Sequence, residues 1–372
     1  MPVVYKDCFS QLGPMDTLPT PKELKTALGL PDQGQKFITK ARDTIRAILE
    51  HKDPRQLFII GPCSIHDPLA AIEYAEKLRV LQNEIGESIY LVMRCYIEKP
   101  RTQLGWKGLI NDPELNRKHN IEEGIRISRA LFLKLTELNI PIATEILDPL
   151  TTEYFDDLIS WGCIGARTAE SQIHRLMASG LSIPIAFKNS TDGNIKIPIN
   201  GIITASNPQV FISIDDSGKR IIKKTHGNPD CHLVLRGGSK HTNYDHIAIA
   251  QANKELYEHG LKETVIIDCS HGNSEGSLDG QISSYKSVIR QIIEGNSKIR
   301  GIILESHLFG GRQEITEKAL RYGVSVTDHC LDFETTKQLI YWAHESFSSI
   351  NVFEKISRIS LTNYAVNETI HP

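Results

Sequence analysis

Side chains able to do chemistry recur just beyond short apolar runs in this sequence. Cys63 comes after Leu57–Ile60, Arg94 after Ile89–Met93, Glu145 after Ile140–Ala143, and Arg167 after Cys163–Ala166. Lys188 comes after Ile183–Phe187, Arg236 after His232–Leu235, Asp268 and His271 after Val265–Ile267, and Glu305 after Ile302–Leu304. Gathered in one pocket, Arg94, Arg167, Lys188 and Arg236 would repel one another and lose hydration, so they need anions opposite them. A small molecule carrying phosphate and carboxylate meets that need, because arginine forks match both groups. Cys63, His271, Glu305 and nearby Asp328 combine soft and hard donors suited to a divalent ion of the Mn, Fe, Co or Zn class. The same residues also fit a buried cysteine and a hydrogen-bonded histidine, and no spacing motif chooses between the two. Lys99-Pro100-Arg101-Thr102 places a lysine, an arginine and a hydroxyl around a φ-fixing proline, which suits a phosphate clamp.

These side chains converge only if the runs before them are neighbouring strands of one sheet. The runs are short, nearly continuous in apolar residues, and separated in most cases by segments of helical texture, as in a parallel sheet covered on both faces. Eight such units predict an α/β fold of the (β/α)8 TIM-barrel type, whose catalytic groups sit just past the carboxyl ends of the strands. A doubly wound sheet is the structural alternative. Asp67-Pro68 predicts an N-cap followed by a proline at the first helical position, with Leu69, Ile72, Leu78 and Leu81 forming the apolar stripe of the helix behind Cys63.

Two features stand outside the alternation. Thr20-Pro21-Lys22-Glu23 carries a capping box for a short helix that Gly29 closes, and Phe37, Ala41, Ile45 and Ile48 mark a second helix over Lys36 to His51. The stretch VFISIDDSGKRIIKKT reads as a β-hairpin inserted into a βα connection. The expected organisation is an N-terminal helical extension over 1–54, serving regulation or oligomerisation, a catalytic barrel over 55–350 with the hairpin at about 208–226, and a C-terminal tail over 351–372.

The chain has 372 residues and a net charge of −3, with no basic field that would draw nucleic acid or an anionic membrane. No apolar run approaches the roughly 18 to 20 residues of a membrane helix, and the first residues lack a secretory pattern, so the expected location is cytoplasmic. Seven widely spaced cysteines without a C-x-x-C pair disfavour a disulfide framework or a zinc ribbon.

The blocks GPCSIHDP, KPRT-x-x-GWKGLINDP, ATEILDP, GART-x-ESQ-x-H, FKN-x-TDG, GNPDCH-x-x-LRGG, DCSHGNS, ESH and GVSVTD follow one another in order. Their series resembles the signature blocks of the type I 3-deoxy-D-arabino-heptulosonate 7-phosphate (DAHP) synthases, from about residue 55 to 345. The resemblance implies a transferase that uses a divalent metal ion to condense phosphoenolpyruvate with erythrose 4-phosphate and water, releasing phosphate, as the first step of the shikimate pathway to aromatic amino acids. It implies Cys63, His271, Glu305 and Asp328 as metal ligands. Arg94, Lys99, Arg167, Lys188 and Arg236 become the phosphoenolpyruvate-binding cations, with Glu145 in the same pocket and the Ala166 N–H facing phosphate. Arg101 and Thr102 become the erythrose 4-phosphate clamp, with Asp328 beside that substrate. Glu145, Lys99 and Lys188 are the expected groups for water activation and proton transfer, and His174 is a further candidate for the site.

The resemblance also implies feedback by an aromatic amino acid at Leu181, Ser182, Phe211 and Ser213, with Ser213 pointing to phenylalanine, and a homodimer or homotetramer. The chain departs from the family pattern at Gln103-Leu104, Ala169, Ala186, Ser190 and Glu275, of which Glu275 removes a basic contribution from its loop. Two rivals are the related 3-deoxy-D-manno-octulosonate 8-phosphate synthases, which use arabinose 5-phosphate, and a catalytically silent sensor of phosphorylated metabolites.

Overall fold

A computed structural model describes residues 16–316 and 319–349, so the expected tail over 351–372 lies outside the described residues. In chain order the strands are β1 (Gln56–Gly61), β2 (Ile89–Arg94), β3 (Ile142–Glu145), β4 (Trp161–Ile164), β5 (Ile185–Lys188), β6 (Val210–Ile214), β7 (Arg220–Lys224), β8 (His232–Leu235), β9 (Val265–Asp268) and β10 (Ile299–Glu305). All but β6 and β7 pair in parallel and close a barrel in the order β1-β10-β9-β8-β5-β4-β3-β2. This is the (β/α)8 architecture. β6 and β7 form the separate antiparallel hairpin, with Ile212 opposite Ile222 and a turn at Gly218, whose φ of +73° a side chain would resist.

Several barrel strands differ in their bounds from the apolar runs, β10 among them, which begins at Ile299 rather than Ile302. β3 starts after Pro141 and β5 after Pro184, because each proline offers a carbonyl to the neighbouring strand but has no N–H for the ladder. β4 spans Trp161–Ile164 and ends two residues early, leaving Gly165, Ala166 and Arg167 in the loop that lines the site.

Leu57, Ile59, Val92, Trp161, Val234, Ile266 and Ile303 fill the barrel interior together with Ile45 and Ile48 of the N-terminal extension. Those two isoleucines belong to α2 (Asp32–Leu49), whose apolar face meets the starts of the strands, and Arg300 Nε donates to the Ile48 carbonyl at 3.0 Å. α1 (Pro21–Ala27) carries the expected capping box at Thr20. Its Lys25 ion-pairs with Asp156 at 2.9 Å and with Asp216 in the hairpin turn at 3.1 Å, so the extension ties the hairpin to the barrel.

α3 (Pro68–Ile85) starts as the sequence indicates, with the Asp67 carboxylate accepting from Leu69 N at 2.9 Å and Ala70 N at 3.2 Å. Its buried face is rotated from the expected stripe. Ala71, Tyr74, Ala75, Leu78, Leu81 and Ile85 face the barrel, while Leu69 is 71% exposed, because small alanines let the helix sit close to the strands. Among the described residues no helix is long and apolar enough to cross a membrane.

Candidate active site

The carboxyl ends of the barrel strands open into a cavity of about 700 Å³. β1 delivers Cys63, β2 Arg94, β3 Glu145, β5 Lys188, β9 the turn with His271, and β10 Glu305. Close packing fixes these ends. A Cβ on Gly61 would lie 2.6 Å from the Arg94 carbonyl, and one on Gly165 would lie 2.0 Å from Glu145 Oε1, so both positions need glycine for the neighbouring functional group to stand where it does.

Cys63, Glu305 and Asp328 present donor atoms that all lie within 4.8 Å of one another. Burial, reinforced by Glu305, pushes the Cys63 thiol up to about 12, and the thiol donates to Asp328 Oδ2 at 3.1 Å. Lys99 Nζ is 2.7 Å from Cys63 Sγ and 3.4 Å from Asp328 Oδ2, so a cation already stands against this donor set. Although burial alone would raise the Asp328 carboxyl, Lys99 holds it well below the usual carboxylate range. His271 joins from the side: its Nδ1 is 3.0 Å from Asp268 Oδ2, which leaves Nε2 3.6 Å from Glu305 Oε1. His271 lies outside the group of three that share the 4.8 Å spacing and reaches it only through Glu305; a thiol with two carboxylates, joined by that imidazole, suits a borderline-soft divalent ion better than magnesium or calcium. Among the described residues all six cysteines are free and buried.

The other half of the cavity is cationic. Arg94 is fully buried: Nη2 donates to Glu305 Oε1 at 2.8 Å, Nε donates to the Pro62 carbonyl, and Cζ lies 3.6 Å from the centre of the Tyr96 ring. Its Nη1 is buried with no hydrogen-bond partner among the described residues. Lys188 Nζ is 2.8 Å from Asp268 Oδ2, and Arg167 Nε donates to Thr102 Oγ1 at 3.0 Å, joining the loop after β4 to the KPRT loop. Arg236 lines the same space. Its own burial depresses its affinity for a proton, which Asp268 offsets and Arg167 aggravates. The lining holds seven arginine or lysine side chains against the carboxylates of Glu145, Glu305 and Asp328, a surplus of four positive charges with histidines neutral. Such a surplus is stable opposite a multiply charged anion.

The cavity brings together Arg94, Lys99, Arg101, Thr102, Glu145, Ala166, Arg167, Lys188, Arg236, His271, Glu305 and Asp328, and Cys63 sits directly beneath it. His174 is the exception. It does not line the cavity, and its ring nitrogens are taken by Ser171 Oγ at 2.8 Å and the Leu147 carbonyl at 2.6 Å, so it braces the loop after β3. Glu275 is exposed and also lies off the lining. Leu181 and Ser182 adjoin the base of the hairpin that carries Phe211 and Ser213: Ser179 Oγ is 2.7 Å from Thr225 Oγ1, and Arg46 Nη2 donates to the Ser182 carbonyl. Sequence reasoning missed Tyr96 beneath Arg94, Gln281 bonded to the Glu305 backbone at 2.7 Å, and Arg312 on the rim. Only contact across the fold distinguishes these three, so the sequence carries no signal for them.

Fold and site together define a (β/α)8 barrel of the enzymatic kind, whose strand ends join a cationic pocket to a candidate metal-binding cluster. The model of the DAHP synthetase I family matches residues 34–340. The chain is 46% identical over 349 residues to the Tyr-sensitive phospho-2-dehydro-3-deoxyheptonate aldolase of Escherichia coli, covering 93% of this chain and 98% of that protein. It is 42% identical to the phenylalanine-inhibited enzyme of Saccharomyces cerevisiae, over 87% of this chain and 90% of the other. The solved structure of phospho-2-dehydro-3-deoxyheptonate aldolase from Francisella tularensis superposes with a TM-score of 0.88 at 41% identity, over 90% of this chain and 98% of that one. The chain belongs to the DAHP synthetase I family.

Proposed function

We propose that this chain condenses phosphoenolpyruvate with erythrose 4-phosphate and water to give DAHP and phosphate. The observation that carries the reading is Arg94, buried in a cavity with a surplus of positive charge and left, among the described residues, without a hydrogen-bond partner for its Nη1 amino group. A phosphoenolpyruvate carboxylate or phosphate satisfies that group. Arg94, Arg167, Lys188 and Arg236 hold the two anionic groups and stabilise the charge that moves as C2 of the enol gains cationic character. C3 of the enol attacks the aldehyde carbon, water adds at C2, and the C2 phosphate leaves.

Glu145, at 9% exposure on the cavity wall, orients that water and accepts its proton. Lys99, seated between Cys63 and Asp328, delivers a proton to the aldehyde oxygen as it becomes an alkoxide. Arg101 and Thr102, on the exposed loop at the rim, clamp the aldose phosphate, with Asp328 beside it. Cys63, His271, Glu305 and Asp328 hold one divalent ion of the Mn, Fe, Co or Zn class. Bound there, the ion supplies Lewis-acid polarisation of the aldehyde oxygen.

Feedback by an aromatic amino acid at Leu181, Ser182, Phe211 and Ser213 belongs to the same reading, supported by the names of the Tyr-sensitive and phenylalanine-inhibited relatives. A homodimer or homotetramer belongs to it as well. Lys188→Met and Glu145→Gln, verified as folded, are expected to lose at least about a hundredfold in kcat/KM, a general acid–base group being worth 10²–10⁴. Retention within a few-fold would remove these roles. Titration with Phe, Tyr and Trp tests the regulatory part, and insensitivity to all three would refute it.

A further inference from the structure

Asp268 ends β9 fully buried, behind the wall of the cavity. Its two oxygens have different tasks. Oδ1 is fixed locally by Ser270 N at 3.1 Å and Ser270 Oγ at 2.5 Å. Oδ2 is shared: it accepts from Lys188 Nζ at 2.8 Å and lies 3.0 Å from His271 Nδ1. Lys188 belongs to the cationic half of the site and His271 to the metal-donor half, so one carboxylate oxygen lies between them.

We propose that Asp268 is a positioning residue that serves both halves of the site at once. On the His271 side Asp268 Oδ2 and Ser270 Oγ, which itself donates to Asp268 Oδ1, each stand 3.0 Å from Nδ1; together they keep Nδ1 engaged and so turn Nε2 toward Glu305, the orientation a metal ligand requires. On the Lys188 side it fixes the buried ammonium at the end of β5 by an ion pair at 2.8 Å, far closer than the Tyr96 ring, whose centre is 5.9 Å away, and so holds it in register with Arg94 and Arg236. A carboxamide cannot replace it. Asn offers one accepting oxygen where Ser270, Lys188 and His271 together present four donors, and its amide group must face donors whichever way it turns.

The inference rests on the reading of the cavity as a phosphoenolpyruvate and metal site, and the test separates the two. Metal-free full-length wild type and Asp268→Asn are titrated in parallel, with Co²⁺ alone followed by thiolate-to-cobalt absorption and with phosphoenolpyruvate alone by calorimetry. The expected result is a Co²⁺ Kd raised about 10- to 100-fold, the usual range for a lost outer carboxylate, together with a phosphoenolpyruvate Kd raised about tenfold. If Asp268→Asn does not give the wild-type circular dichroism, Asp268→Glu, which keeps the charge but displaces it by one methylene, is measured against the same criteria. Both constants within threefold of wild type, or a loss confined to one ligand, would overturn the shared role. Failure of the wild type itself to bind phosphoenolpyruvate would instead overturn the reading of the cavity.

Discussion

Tyr96 offers a sharp test of how the anion pocket is built. Its ring lies 3.6 Å from the Arg94 guanidinium, both residues are buried, and its hydroxyl is 3.0 Å from Cys163 Sγ. A desolvated cation over an aromatic face is worth about 2 kcal/mol. Losing the ring frees the guanidinium to turn its unpaired Nη1 away from the cavity, so Tyr96→Leu is expected to weaken phosphoenolpyruvate binding by about 30-fold, at 1.4 kcal/mol per decade. Tyr96→Phe keeps the ring and loses a neutral hydrogen bond worth about 1 kcal/mol, so its effect is expected to stay within about fivefold. Truncation also costs roughly 3 kcal/mol of stability through the cavity it leaves, so binding is measured by calorimetry well below the melting temperature of each variant. A Tyr96→Leu protein that binds within threefold of wild type would refute the reasoning. So would a Tyr96→Phe protein that loses as much as Tyr96→Leu, since the hydroxyl and not the ring would then be responsible.

Two further outcomes follow from the same geometry. Burial, with help from Asp148 and Glu145, raises the Glu98 carboxyl to about 7, so the folded chain holds a proton there that the unfolded chain releases near 4.5. Its contribution to stability is therefore fully present below pH 4.5 and lost as pH rises through 7. Glu98→Gln should remove that slope and gain about 3 kcal/mol at pH 8 by urea unfolding, at 1.36 kcal/mol per unit; an unchanged slope would count against it. Gly165→Ala places a methyl group where Glu145 Oε1 now lies, so kcat should fall at least about tenfold while Co²⁺ affinity stays at the wild-type value. Wild-type kcat in that variant would show that the carboxylate is not needed where it stands.

Much of the site was legible because a parallel barrel gathers strand ends, and the strand ends carry conspicuous residue types. Cys63, His271 and Glu305 have no common spacing motif, yet each follows an apolar run by one to four residues, and that regularity located them. Asp328 was harder, since it stands beyond β10 on a segment that returns to the barrel through bridges from Ser306 to Leu331 and from Gly311 to Cys330. It enters the donor set only as a residue near the strand ends, and the blocks of family resemblance are what mark it as a ligand. Apolar runs overestimated where β3 and β5 begin because hydrophobicity does not register the missing N–H of Pro141 and Pro184. Leu69 was misplaced for a related reason: a greasy side chain at a helix start need not face the core when Ala70 and Ala71 allow closer packing. His174 sits in a recognisable block, but whether its ring meets solvent, substrate or the Leu147 carbonyl depends on the turn after β3, which the sequence leaves open.

In the proposed reaction one cavity joins phosphoenolpyruvate to erythrose 4-phosphate with the help of a divalent ion that Cys63 would help to hold. The most direct measurement follows phosphate release from phosphoenolpyruvate by the metal-stripped protein, with and without erythrose 4-phosphate, arabinose 5-phosphate and added Mn²⁺ or Co²⁺. Release that requires both erythrose 4-phosphate and the ion, and that is lost in folded Cys63→Ser, is the predicted result. Release indifferent to the ion, a preference for arabinose 5-phosphate, or no turnover with erythrose 4-phosphate would contradict it.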